Sequence, residues 1–437
     1  MTPAALWALE LDKAAAGAKP EGRPAGLAGW LAVCSAILLG APAWLATAVL
    51  SGRDPSDPPP GPWAALHGEV ENRTRPLLDI LAAEAPDTPI LLLGRPHRSL
   101  AAVAALFAGR GLPKARLFRP WSLGDAVATF SEFLAAAGAG CRVAAARPAP
   151  LPPPAEMVGI VYRLGLGLAS CRWAARRGGK AGVVVFGHTG LADTSLLELG
   201  LQEAGARTVH YVHGISKGWD FTGVSSRAVF QCDSDARWHA ALGGYGETTA
   251  LRAQPLEPRP DGQGWLLLSN RAHPMDPAYQ ASGLAAELAL LESVAEAADL
   301  AGKPRGEVAW RPHPIFAGLP AAERSAALAA GERLGFSFWD PAGPGLEAAR
   351  DYGLVIVSPS TAAIDMLRLG KLPVIFGPVA NPQSAVAQFP CRADRPSELA
   401  ALATELAEPA RWRSCYDRAW AAVGPGRKPT WTDLVSL

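Results

Sequence analysis

The stretch from Leu354 to Pro378, LVIVSPSTAAIDMLRLGKLPVIFGP, constrains the fold more than any other part of the chain. Leu354–Val357 is short, apolar and rich in β-branched residues, the pattern of a strand buried on both faces. Pro373–Phe376 is a second such run. Between them, Ser360 to Leu369 has room for only a short helix, opened by Ser-Pro-Ser-Thr and stopped by Gly370. Strand, helix and strand at this spacing make a βαβ unit, whose crossover is right-handed and whose strands are parallel. The hydroxyls of Ser358, Ser360 and Thr361 then lie where a strand ends and a helix begins. Free N–H groups and the helix dipole favour a phosphate there.

At 437 residues the chain exceeds one ordinary core, so two domains are expected. Hydrophobic residues make up 49% and charged ones 19%, which marks a globular protein rather than a disordered one. A formal charge of +1 argues against a large nucleic-acid footprint. The cysteines (Cys34, Cys141, Cys171, Cys232, Cys391, Cys415) are scattered, with no CxxC or Cys/His cluster. That argues against a zinc site or a disulfide framework and fits a reducing, cytoplasmic compartment.

Near the start, Gly26–Leu50 runs 25 residues without a charge, long enough to cross a bilayer. It is rich in Ala and Gly, however, and Pro42 interrupts any helix through it. Two readings stand: a pair of buried helices, or an element that inserts in or lies on the inner membrane. Ser56–Pro62 is a stiff linker, so residues 1–60 form an Ala-rich helical segment set apart from the rest.

Trp63–Ala85 reads as helical, with a break at Pro76. Strands are expected at Ile90–Gly94, Ala115–Phe118, Cys141–Ala146, Val183–Gly187 and Thr208–Gly214, and Ala228–Cys232 is strand-like too. Helices are expected from Ser99, from Asp125, up to about Arg177, and from Thr194 with Asp193 as its cap. The alternation argues for a parallel sheet covered on both faces. Arg252–Gly264 is polar, Pro- and Gly-rich and aperiodic, the composition of an inter-domain boundary. A second α/β series follows, with strands at Trp265–Ser269, Val308–Arg311, Ser337–Trp339, Leu354–Val357 and Pro373–Phe376. The organisation is thus an N-terminal segment 1–60, one α/β domain over 61–255, a second over 264–395, and helices over 396–437 that need not stay with their neighbour in sequence.

Four constellations could carry chemistry. In the first, Thr361 and Asp365 stack on one helix face, so a phosphate at the helix end has a carboxylate within reach of its ribose. The plainer reading is a hydroxyl N-cap and a solvated acid. The second is Arg311-Pro312-His313-Pro314, where prolines hold His313 rigidly at a strand's C-terminal end, the ligand side of open α/β sheets. Ser269 and Arg271, at the end of another strand, are additional candidates. The third is TVHYVHG, where His213 and Gly214 close a strand while His210 suits a satisfied structural histidine. His188 closes VVVFGH in the same way. The fourth, Asp233-Ser234-Asp235, has the form of a DxD metal motif but opens a helix, where capping explains it without a metal. No Walker A, GxSxG or strand-linked GxGxxG is present.

Three of these pieces resemble the GT-B-fold transferases of bacterial surface polysaccharides, which include CDP-glycerol glycerophosphotransferases and the Kdo and polysialic acid transferases of capsule assembly. The resemblance lies in GARTVHYVHG at Gly205–Gly214, RPHP at Arg311–Pro314, and the S-x-S, acid and GKLPVI series within Ser358–Ile375. It covers about half the chain. The acid is Asp where the family more often has Glu, and GKLPVI carries one extra residue. The resemblance implies two Rossmann-like domains, acceptor first and nucleotide donor second, with a cleft between them. It also implies a metal-independent transfer with no cofactor, from a nucleotide-sugar donor to a polysaccharide or lipid-linked acceptor. The donor is CMP- or CDP-linked in preference to UDP-linked. His213 then resembles the base on the acceptor hydroxyl. Arg311, His313, Ser360 and Thr361 resemble the donor phosphate site, and Asp365 a ribose contact. A sugar-nucleotide 2-epimerase and an inactive nucleotide-binding module are the competing readings.

Overall fold

In a computed structural model of the chain, the described residues are 58–67, 71–93, 107, 109–110, 117–118, 121, 123–146, 154–214, 223–270, 283–341, 345–379 and 381–436. Gly26–Leu50, the helix expected from Ser99 and the candidate Arg271 lie outside them.

The first half runs β1 (Trp63–His67), α1 (Glu71–Glu84), β2 (Ile90–Leu93), β3 (Leu117–Phe118), α2 (Leu123–Ala128), α3 (Phe130–Ala146) and α4 (Pro154–Arg177). It continues with β4 (Val183–Phe186), α5 (Ala192–Glu203), β5 (Arg207–Tyr211), β6 (Arg227–Phe230), α6 (Asp233–Leu242) and β7 (Glu247–Ala250). The second half holds β8 (Trp265–Ser269), α7 (Leu284–Leu300), β9 (Val308–Pro312), α8 (Ala321–Arg333), β10 (Ser337–Phe338) and β11 (Leu354–Val357). After these come α9 (Ala362–Arg368), β12 (Pro373–Phe376), β13 (Arg392–Ala393), α10 (Pro396–Leu406), α11 (Pro409–Val423) and α12 (Trp431–Ser436). No described helix is long and apolar enough to cross a membrane.

The strand order is β3-β2-β1-β4-β5-β6-β7 in the first sheet and β10-β9-β8-β11-β12-β13 in the second. Every pairing in both is parallel. Each sheet starts near its middle, runs outward to one edge, then returns to fill the other side, which is the Rossmann winding. The chain is therefore two Rossmann-like α/β units. The central strands are apolar throughout because helices cover both faces. Leu266, Leu267, Ile356, Val374 and Ile375 are fully buried, each burial contributing roughly 1.5–3 kcal/mol.

Two sequence expectations are overturned. Trp63–His67 is not the start of a helix but β1, paired with β2 on one side and β4 on the other. Its Trp-Ala-Ala-Leu composition suits a helix, yet a place at the middle of the sheet overrides so weak a preference. Conversely, Cys141–Ala146 ends helix α3 instead of forming a strand. Its three consecutive alanines favour helix. Pro76 sits inside α1, near its start. Where α4 and α5 cross they touch backbone to backbone, since a Cβ at Gly200 would lie 2.3 Å from the carbonyl oxygen of Cys171.

The C-terminal stretch returns to the first half. Helix α12 packs on α1, β4 and β5, and Glu84 accepts the Trp431 N–H at 2.7 Å. Just before it, Pro425 and Gly426 form antiparallel bridges with Cys232 and Arg252. At the junction, Arg368 on α9 donates to Gly426 O (2.5 Å), Gln231 O (2.9 Å) and Gln231 Oε1 (3.0 Å), and pairs with Asp365 (2.8 Å). Lys371 is 1% exposed and holds the linker by donating to the carbonyls of Arg259 (2.8 Å) and Asp261 (2.7 Å). Burial pushes its pKa down to about 8.

Candidate functional site

A parallel α/β sheet binds its ligand beyond the strand C-termini, in the crevice where the winding reverses. In the first sheet that crevice lies between β1 and β4, so His67 and the Gly187-His188 turn flank it. In the second it lies between β8 and β11, flanked by Ser269 and Ser358. The two halves touch past these strand ends. Asp235, just past β6, accepts the N–H of Ala385, in the segment after β12, at 2.9 Å.

At the second sheet's switch point, Ser358 is 1% exposed, and its hydroxyl finds no hydrogen-bond partner among the described residues. Thr361 occupies the N-cap of α9 without making a side-chain cap bond. Its hydroxyl is therefore not committed to the helix. Arg311, near the end of β9, lies 4.8 Å over the Trp339 ring and donates to Pro341 O at 3.1 Å. Its Nη1 is buried and unbonded among the described residues. Burial pushes its pKa down, and Glu347 and Asp340 oppose that push, so a poorly solvated cation remains. His313 is half-buried in the turn that follows, and its carbonyl accepts from Phe316 N–H.

Other candidates of the second half are placed differently. The Ser269 hydroxyl is turned into the core, where it donates to Glu287 and accepts from Trp310 Nε1 at 3.0 Å. Asp365 faces Arg368, and that ion pair ties it to the junction.

The first sheet gathers histidines at the ends of three adjacent strands. His67 ends β1, 4% exposed, with Nε2 3.5 Å from Asp193 Oδ2, an ion-pair distance without hydrogen-bond geometry. The rings of His67 and His188 meet edge to face at 5.8 Å. His213 is half-buried two residues beyond β5, and Gly214 after it has φ 137°, a conformation that favours glycine. The strand ends between the two histidines of TVHYVHG, and His210 is held by Tyr245 OH at 2.8 Å.

Helix α5 supplies two buried acids beneath these loops. It starts earlier than Thr194, with Leu191 as N-cap, and Asp193 lies in its first turn. Burial alone would raise the Asp193 pKa, but His67, with help from Arg163 and the Thr194 N–H, holds it below the usual carboxylate range. Glu198 is wholly buried and accepts from the hydroxyls of Ser225 and Thr189. Burial, only partly opposed by those bonds, pushes its pKa up to about 7.

That shift fixes a sign for stability. Between about pH 4.5 and 7 the folded chain holds a proton that the unfolded chain has released, so stability falls as pH rises through this window. For a fully buried group the loss is on the order of 3 kcal/mol. Urea unfolding at pH 5 and pH 8 should show it in the wild type and lose it in Glu198→Gln. An identical pH dependence in both would mean that Glu198 ionises normally.

The DxD acids open helix α6 but do not cap it with a side chain. Cys232 is the N-cap of α6, and both acids lie in its first turn. Asp233 N–H bonds Gly424 O at 2.8 Å, while Asp235 reaches across to Ala385. Among the described residues no three His, Cys, Asp or Glu side chains gather as metal ligands.

His67, Asp193 as a partner of His67, and Glu198 were not read as site residues from sequence. His67 carried one usable signal: like His188 and His213, it closes a short apolar run.

A scan against protein-family models finds no match, and a search of the curated proteins finds none either. Among solved structures, UDP-GlcNAc 2-epimerase from Neisseria meningitidis bound to UDP-GlcNAc aligns over 84% of this chain and 95% of its own, at 10% identity and a TM-score of 0.45. Anabaena HepE in complex with UDP aligns over 83% and 94%, at 11% identity and a TM-score of 0.45. The S. aureus MnaA–UDP structure aligns over 86% and 94%, at 10% identity and a TM-score of 0.43.

Proposed function

We propose that the chain is a metal-independent transferase that moves a glycosyl or glycerophosphoryl group from a nucleotide-activated donor to a hydroxyl of a surface polysaccharide or glycolipid. The observation that carries this reading is the division of labour across one junction. Uncommitted hydroxyls lie at the second sheet's switch point, a partly buried Arg311 ends the neighbouring strand β9, and histidines follow three strands of the first sheet.

In this reading Ser358, Ser360, Thr361, Arg311 and His313 hold the donor phosphates. His213 takes the acceptor proton as the acceptor oxygen attacks the transferred group, and the nucleotide leaves with the bond electrons. The donor-side N–H groups and Arg311 stabilise the charge that develops on the leaving phosphate. A CMP- or CDP-linked donor fits best with the motif resemblance.

The test is product analysis with purified full-length protein and CMP-, CDP- and UDP-activated donors, with and without EDTA. Donor cleavage or transfer that persists in EDTA is the expected result. Loss of turnover in EDTA with recovery in Mn²⁺ would return the DxD acids to the site. Conversion to the 2-epimer without transfer would identify an epimerase, and intact donor throughout would identify a binding module.

A further inference from the structure

Glu198 is costly where it stands. A carboxyl group removed from water loses hydration that hydroxyl donors only partly replace, and an apolar residue at the same place would avoid that cost. Two of its partners lie on separate loops that carry the acceptor-side histidines. Thr189, whose hydroxyl bonds Oε2, is the residue after His188. Ser225, whose hydroxyl bonds Oε1, and Val224, whose N–H also bonds the carboxyl group, lie where the chain returns to β6 after His213 and Gly214. The two loops are also pressed together, since a Cβ at Gly223 would come within 2.5 Å of Thr189 Cγ2. One helix thus serves all three edges, with Asp193 on His67 and Glu198 on the loops of His188 and His213.

We propose that Glu198 is a positioning residue, tying the His188 loop to the return of the His213 loop so that both imidazoles hold a fixed place at the acceptor edge. The inference rests on the transferase reading for its purpose, but its test needs no substrate.

The experiment uses full-length protein labelled with ¹³C-histidine and follows the ring Cε1–Hε1 signals of His188 and His213 through a pH titration. Glu198→Gln retains one acceptor and gains a donor that the rotatable hydroxyls can meet, so both signals and midpoints should stay near wild type. Glu198→Leu should broaden both signals and move both midpoints by about half a unit or more, as a changed environment of neighbouring dipoles and charges requires. A residue that merely packs would change the melting temperature and leave the midpoints alone. Unchanged midpoints in a folded Glu198→Leu protein therefore overturn the proposal. If that variant does not fold, the double variant Thr189→Val with Ser225→Ala removes only the two hydroxyl donors. It carries the same expectation and the same overturning result. Nucleotide binding is read separately, so a failed tie and a failed transferase reading leave different records.

Discussion

His213→Ala is expected to lower kcat by about 10²–10⁴-fold, the usual contribution of a positioned general base. Donor affinity should hardly change, because the donor groups belong to the second sheet and His213 to the edge of the first. Histidine is the side chain best suited to accept a hydroxyl proton near neutral pH. His313→Ala should behave differently, weakening donor binding together with turnover. Kinetics paired with calorimetry separate the two. Equal losses of donor affinity would place both histidines at the phosphate, and His188, beside His67 at the switch point, would become the base to examine.

Arg368→Ala is expected to cost about 3–5 kcal/mol, the range for breaking a largely buried charged network. The side chain is 14% exposed and serves Gln231, Gly426 and Asp365 at once, so its loss strands buried acceptors on both sides of the junction. Arg368→Lys should recover little, since an ammonium cannot span the same fork. Calorimetric unfolding checks this. A loss below about 0.5 kcal/mol would show that the halves are held by other contacts.

Much of this architecture was legible because parallel sheets write themselves plainly. ILLL, VVVF, WLLLS, LVIV and PVIF are continuous apolar runs, which only strands covered on both faces require. β1 was illegible for a physical reason. Trp-Ala-Ala-Leu-His is neither β-branched nor alternating, and one of its two partners, β4, comes from far along the chain. Missing β1 concealed His67, and with it the first sheet's switch point.

On the site, local sequence placed His188, His213, His313 and Ser358 at strand ends, which needs only strand boundaries. It could not show that Asp365 faces Arg368, that the Ser269 hydroxyl turns into the core, or that Asp235 reaches Ala385. Those pairings are set by tertiary packing. Glu198 was hidden more deeply still, since an acid within LLELGL looks like an interruption until the loops above it are in place.

The central claim is a nucleotide site at the second switch point, and a thermal-shift panel of CMP, CDP, UDP and GDP tests it most directly. At about 100 times its dissociation constant a bound nucleotide adds about 2.7 kcal/mol of stability, and a cytidine nucleotide is expected to give the largest shift. Replacing Ser360 and Thr361 together by alanine should weaken that binding by about 1–3 kcal/mol in calorimetry. A wild-type melting temperature that no nucleotide raises at millimolar concentration would contradict the account.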